Sequence, residues 1–483
     1  MEHLEEDEVV VLEPVSPTAQ YFTSSVLSVS NIGVMELENP LSESQAISLL
    51  KTLFLPISPR FSSIVVEING KKRWKRVEVK LEEHISVPII PSNLSTESYE
   101  KYLDGYISKL ALERLSQDKP LWELHILNYP TRNNNAACNL IFKLHHALGD
   151  GFSLMSAILS CLRRADNPSL PLTFPSRQRS QQMSDESFLS RTISSVFNTL
   201  SDIWRSTVGE DDISPIRSGN GIEFQPITVA TMTFSLDQIK SIKSKLGVTV
   251  NDVLAGMIFL GTRLYMQEIN RSSSKARGTA VVLLNTRMMG KYTSIQEMMK
   301  PDSKMPWGNH FTFLHVPIPN LSLPEDHDHD FPADQYSNAL DFVWEAQKII
   351  TRKRSSLAIY LTCRFLEFLN KFGGHEAAAR YIHSTLKNTS MMISNLIGPV
   401  EQMALANNPV KGMYFLVFGS PEGLDVTIVS YMGKVRVAFK MEKGLIEPQK
   451  FKSCMQNAFE MIRKASDEYP IPTQKNSKTI KHL

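Results

Sequence analysis

Cysteine is scarce in this 483-residue chain: Cys138, Cys161, Cys363 and Cys454 lie far apart and form no CxxC pair. That spacing suggests neither a zinc ribbon nor a disulfide scaffold and points to reduced, mostly packed thiols. An excess of one charge is lacking as well. Lysine and arginine total 52 against 50 acidic residues, so a formal charge of +2 gives no whole-chain argument for nucleic acid. The densest basic run, Lys71-Lys72-Arg73-Trp74-Lys75-Arg76, stands between apolar segments around Val65 and Val79 and reads as the exposed turn of a hairpin. No Gly-rich phosphate loop occurs, and FGSPEG around Ser420 lacks the GxSxG spacing of a nucleophile elbow. His375-Glu376 opens like a zincin helix, but Ala379 occupies the place of the second histidine ligand. The run DHDHD at 326–330 falls in a polar stretch flanked by Pro324 and Pro332 and reads as a surface loop, so no metal site is expected. The opening MEHLEEDEVV has neither the basic region nor the apolar core of a secretory signal, and the catalytic region is expected to face the cytosol.

What is present is a mixed pattern of strands and helices with one change of composition in the middle. A first domain is expected over 1–167, with a strand at 63–68 and helices at 43–53 and 97–115. From 168 to 226 the chain turns rich in serine, proline and charge, which marks a crossover linker. Within it Phe188, Ile193, Phe197, Leu200 and Trp204 recur at helical spacing. The opposite face carries serines, Arg191 and Asp202, so the segment is too polar to span a bilayer; it suits docking on the protein or lying in a membrane interface. A second domain is expected over 227–466, with helices at 235–246 and 251–266, a strand at 280–284, alternating strands from 410 to 441 and a last helix at 448–465. Residues 467–483 form a basic tail.

The most informative segment is His145-His146-Ala147-Leu148-Gly149-Asp150-Gly151. Residues 137–144 are apolar apart from Asn139 and Lys143, and 152–162 carry apolar residues at helical spacing, which puts the two imidazoles on a strand-to-helix connection. A neutral imidazole takes and returns a proton near physiological pH. A histidine pair alone is more often an ordinary core or surface feature, and Asp-Gly is a common turn. The whole heptad is more specific: HHALGDG resembles the HHxxxDG signature of the CoA-dependent acyltransferase superfamily, which includes chloramphenicol acetyltransferase, plant BAHD enzymes and peptide-synthetase condensation domains. Pro120-Leu121-Trp122, Asn251-Asp252, Gly308-Asn309, and Asn395 with Gly398-Pro399 resemble, in order, further blocks of the wax ester synthase/diacylglycerol acyltransferase family. The opening LEPVSPTAQYFTSS looks like its plant branch, and no DFGWG block of the BAHD type follows Val400.

That resemblance implies an α/β (α+β) chain in two domains of the chloramphenicol acetyltransferase-like fold, with a tunnel at their junction. It implies His146 as the general base, acting without a covalent acyl-enzyme. His145 is left a supporting role, because adjacent residues of an extended segment point to opposite faces. Asp150 is tempting as a triad partner, but the superfamily pattern makes it a structural acid paired with an arginine, and Arg287 is the candidate. Gly151 is expected to permit close approach of backbone and substrate. Trp122, Asn251 and Asn309 are substrate-binding candidates, with core packing equally open for Trp122 and a helix N-cap for Asn251. The implied substrates are long-chain acyl-CoA, with no separate cofactor, and a fatty alcohol or diacylglycerol. A membrane surface is the implied partner, at the endoplasmic reticulum, with the cell membrane as a further location. Two other readings stay open: a soluble acyltransferase for a non-lipid alcohol or amine, and a silent lipid-binding relative, against which the intact HHxxxDG argues.

Overall fold

The computed structural model describes residues 11–91, 94–129, 137–175, 209–287, 295–300, 303, 306–321, 334–354 and 358–469. The amphipathic stretch at 188–204, the DHDHD run and the tail from 470 onward lie outside the described residues.

Two large sheets organise the chain. The first runs in the order Ile85–Ser86, Trp122–Asn128, Cys138–His145, Ser30–Leu37, Asn408–Phe418, Met403–Leu405, Arg163–Arg164. Its strand Cys138–His145 is buried at every position and lies antiparallel to both neighbours, which is why its sequence is a nearly continuous apolar run. The exception at Lys143 has a physical reason. Its buried ammonium donates to the carbonyls of Leu110 (3.0 Å) and Glu113 (2.8 Å), at the C-terminal end of helix Thr96–Leu112 where cations are favoured.

The second sheet runs Phe311–Pro317, Thr279–Asn285, Met391–Ile397, Leu424–Tyr431, Lys434–Glu442, Ile227–Ser235. Helix Val250–Ile269 packs beside it against Asp334–Arg354 and Pro448–Glu468. Gly256 is required there, since a Cβ would sit 2.8 Å from the Cα of Val343 on the neighbouring helix.

The linear division into domains is corrected at one place. Strand Asn408–Phe418 belongs to the first sheet, paired with Ser30–Leu37, while Leu424–Tyr431 and Lys434–Glu442 lie in the second. Alternating hydrophobicity over 410–441 announces strands but not their partners, and both sheets bury the same residue types. Gly419, with φ +82°, makes the return between sheets, and any Cβ there would run into the carbonyl oxygen of Ser28.

The basic run is corrected too. Lys71–Arg76 is a strand of a three-stranded sheet with Val11–Pro14 and Ser63–Ile68, and the turn is Asn69-Gly70, both at positive φ. Trp74, fully buried in the middle of the run, is what binds this strand to the core. Among the described residues no helix is long and apolar enough to cross a membrane, and no group of three or more His, Cys, Asp or Glu is placed to hold a metal ion.

Candidate active site

The HHALGDG segment leaves the first sheet at the end of Cys138–His145 and enters helix Gly151–Ser160. The His145 amide donates to Leu121 O (3.0 Å) and the His146 amide to Val29 O (2.8 Å), so both backbones are held by neighbouring segments. The two rings then meet different surroundings. His145 Nδ1 accepts from the Ala147 amide (3.1 Å), which can only donate; Nε2 therefore carries the proton and faces Ser28 Oγ at 3.2 Å. Burial, together with His146 and nearby lysines, pushes its pKa down to about 3. His145 is thus neutral near physiological pH, with both ring nitrogens engaged.

His146 is held by Asn309 at two points. The Asn309 amide nitrogen donates to the His146 carbonyl (2.9 Å), and Asn309 Oδ1 lies 2.8 Å from His146 Nδ1. The first bond settles the amide's orientation, because a carbonyl accepts only; the amide oxygen must therefore face Nδ1, which must carry the proton. That leaves the Nε2 lone pair outside the Asn309 clamp. The imidazole is walled by Phe22 (ring centroids 4.3 Å apart) and by the edge of Phe311 (5.4 Å). Burial lowers its pKa, partly offset by the charge of Asp150 and the Asn309 bond.

Asp150 does not touch His146's ring nitrogens. It caps helix Gly151–Ser160, Oδ1 accepting from the Ser153 amide at 2.9 Å, while Oδ2 accepts from the His310 amide at 2.9 Å. Arg287, just past strand Thr279–Asn285, donates to Asp150 Oδ2 (2.7 Å) and Oδ1 (3.2 Å). Its remaining donors reach Ser153 Oγ (2.9 Å), Gly308 O (2.7 Å) and Pro306 O (2.8 Å). One guanidinium thus ties the histidine loop of the first sheet to the 306–310 segment that carries Asn309.

The other expected site residues separate. Gly151 is open within the protein: a Cβ there would meet Leu396 Cδ1 at an ordinary 3.6 Å, whereas at Gly149 it would crowd Ser153 Cβ at 2.9 Å. Trp122 is corrected from substrate binding to core. It is fully buried, donates Nε1–H to Phe61 O (2.8 Å) and stacks on His84 at 4.2 Å. Asn251 is not a cap either. Thr249 caps helix Val250–Ile269 and forms a capping box with Asp252, while exposed Asn251 accepts from Asn395 Nδ2 at 2.8 Å, joining two of the sequence blocks. Sequence reasoning missed Phe22, Ser28, Ser153 and Phe311. Only Ser153 left a signal, as the third residue after a capping aspartate.

The two-sheet fold that holds this histidine is shared by solved structures of two-lobed acyltransferases. A wax ester synthase/diacylglycerol acyltransferase from Marinobacter aquaeolei VT8 superposes with a TM-score of 0.59 at 15% identity, covering 94% of this chain and 100% of that one. A trichothecene 15-O-acetyltransferase from Fusarium sporotrichioides gives 0.56 at 12% identity, covering 94% and 95%. Sequence comparison is narrower. Residues 52–254 match the wax ester synthase/diacylglycerol acyltransferase catalytic domain and 307–463 the WS/DGAT C-terminal domain. Wax ester synthase/diacylglycerol acyltransferase 11 of Arabidopsis thaliana is 30% identical over 484 residues, covering 95% of this chain and 96% of its own length. The chain belongs to the wax ester synthase/diacylglycerol acyltransferase family.

Proposed function

We propose that this protein transfers a long-chain acyl group from its CoA thioester to the hydroxyl of a fatty alcohol or of diacylglycerol, forming a wax ester or triacylglycerol. The observation that carries the chemistry is the Asn309 clamp, which puts the proton of His146 on Nδ1 and frees Nε2. His146 Nε2 takes the hydroxyl proton as the acceptor oxygen bonds to the thioester carbonyl carbon. The tetrahedral centre then collapses with cleavage of the C–S bond, and the same nitrogen returns the proton to the departing thiolate, releasing CoA thiol. The histidine ends as it began. Attack by the acceptor hydroxyl itself needs no covalent acyl-enzyme. The aromatic walls of Phe22 and Phe311 suit an apolar acceptor at the junction of the lobes, where a tunnel would admit it. The same reading places the protein at the endoplasmic reticulum membrane with its lobes in the cytosol.

The test is incubation of purified protein with labelled palmitoyl-CoA and either hexadecanol or diacylglycerol. Labelled ester and free CoA are expected, and His146→Ala should lose about 10²- to 10⁴-fold of the rate, the usual worth of one positioned acid-base group. Wild-type turnover by that variant would sink the mechanism; transfer only to non-lipid alcohols or amines would sink the substrate assignment.

A further inference from the structure

Two aromatic rings stand against the base, and they cover it differently. Phe22 lies over one face of the imidazole, with ring centroids 4.3 Å apart and planes inclined by 34°, whereas Phe311 meets it edge-on at 5.4 Å. A hydroxyl that gives its proton to Nε2 sits at hydrogen-bond distance in the plane of the imidazole. The carbon bearing that hydroxyl, and the carbon next to it, then come up against the ring that covers the face of the base. The thioester carbonyl, bonded beyond the acceptor oxygen, stands farther off. Phe22 is thus placed to feel the shape of the acceptor rather than that of the acyl donor.

The ring is also held in place from two sides. Phe22 ends the short helix Pro17–Phe22, which Ser16 caps by accepting from the Ala19 amide at 3.3 Å. Directly after it, the Thr23 carbonyl accepts from Lys72 Nζ at 2.8 Å, in strand Lys71–Arg76. Two residues on, the amide and hydroxyl of Ser25 donate to the Glu376 carboxylate at 3.1 and 3.2 Å, in helix Ala358–Lys387. The Phe22 side chain is 3% exposed and shares an apolar cluster with Tyr21, Phe313, Ala379 and Met392. A ring so packed cannot swing aside without forcing its neighbours off their rotamers, so it acts as a fixed wall.

We propose that Phe22 determines the choice of acceptor: its ring excludes alcohols branched at the carbon next to the hydroxyl carbon, so unbranched fatty alcohols are esterified in preference to diacylglycerol. In hexadecanol that neighbouring carbon carries only hydrogens; in diacylglycerol it carries an acyloxy group, which would have to occupy the space of the ring. Selection of this kind works by a clash built against the wrong substrate rather than by an added contact to the right one. The proposal rests on the reading of the site as an acyl-CoA-dependent O-acyltransferase and narrows its acceptor.

The experiment measures kcat/KM of the full-length protein, with labelled palmitoyl-CoA, for three acceptors. They are hexadecanol, its isomer hexyldecanol, branched at the carbon beside the hydroxyl carbon, and dioleoylglycerol. The two alcohols share one composition, so their ratio reads branching alone. The wild type should favour hexadecanol over the other two by about tenfold or more, since a single methylene of misfit in an apolar pocket is already worth about that. Phe22→Leu should cut both preferences and Phe22→Ala should bring them near parity, with the KM for palmitoyl-CoA unchanged. A ratio between acceptors does not depend on the fraction of protein that folds, and Phe22→Leu carries the test where the alanine variant fails to fold. Phe313→Leu loosens the same cluster from beside Phe311, at 5.6 Å between ring centroids, and should leave the ratios alone. Parity in the wild type, unchanged ratios in the Phe22 variants, or an equal shift in Phe313→Leu each overturn the proposal while ester formation upholds the assigned function. If no acceptor is esterified, that function falls and the acceptor sieve with it.

Discussion

An imidazole acts as a base only when its free nitrogen faces the substrate, and the neutral ring has two tautomers to choose from. Asn309 makes the choice here. Its donated bond to the His146 carbonyl fixes the amide, and the amide oxygen then holds the proton on Nδ1. An amide orients the ring without adding charge, unlike the carboxylate of a serine-protease triad, and burial keeps the His146 pKa below its ordinary 6.5. The acid limb of kcat/KM should therefore have its midpoint below pH 6.5. Asn309→Asp places a negative charge on Nδ1, which favours the imidazolium, and should move that midpoint upward by about one unit or more. The pH profile of the purified variant reads this directly, and an unmoved limb would mean that His146 is not the titrating base. Asn309→Ala should cost about tenfold or more in kcat, short of the loss in His146→Ala, because the ring remains but no longer keeps one tautomer.

The connection from strand to helix carries the site, and its rigidity comes from Asp150 and Arg287. Asp150 accepts from the amides of Ser153 and His310 as well as from the guanidinium, so it closes the helix start and the partner segment at once. Both side chains are almost fully buried, and removing either leaves the other uncompensated, at about 3–5 kcal/mol. Urea titrations of Asp150→Ala, Arg287→Ala and the double variant should show the double losing much less than the sum of the singles. Strict additivity would mean that the pair does not act as a unit. This element was also the most legible in the sequence. A run buried on both faces, two imidazoles and an Asp-Gly turn are local signals, and the resemblance supplied the arginine. The rest was written in contacts that sequence does not order. Phe22 and Phe311 look like any core phenylalanine, Trp122 packs in the core although it belongs to a motif block, and the cap is Thr249, one turn before its capping-box partner Asp252, rather than Asn251.

At the scale of the whole molecule, the two sheets are joined by the chain threading back between them, and that return is built around buried charge. Strand Asn408–Phe418 leaves the first sheet at Gly419, and within a few residues Ser420, Glu422 and Asp425 gather on Lys440 of the second. Lys440 Nζ lies 2.7 Å from Asp425 Oδ2, 3.3 Å from Glu422 Oε1 and 2.9 Å from Ser420 Oγ, with all three charged side chains almost completely enclosed. One lysine does not neutralise two carboxylates. Burial and the neighbouring Glu422 charge drive the Asp425 carboxyl well above its ordinary range, so Asp425 keeps a proton while Glu422 and Lys440 stay charged. A second tie, Arg436 to Glu36 at 2.7 Å, bridges the same two sheets farther along. Lys440→Met removes the only cation of the buried group and should destabilise the fold by about 3–5 kcal/mol at neutral pH. The loss has a defined pH dependence. Without the ammonium, Glu422 must also hold a proton when folded, so its folded pKa lies above the unfolded one. The variant then approaches wild-type stability below about pH 4 and falls progressively behind as pH rises through that folded value. Denaturation midpoints of both proteins, measured from acid to neutral pH, should diverge in that direction. A constant gap would show that Glu422 does not gain a proton when Lys440 is lost.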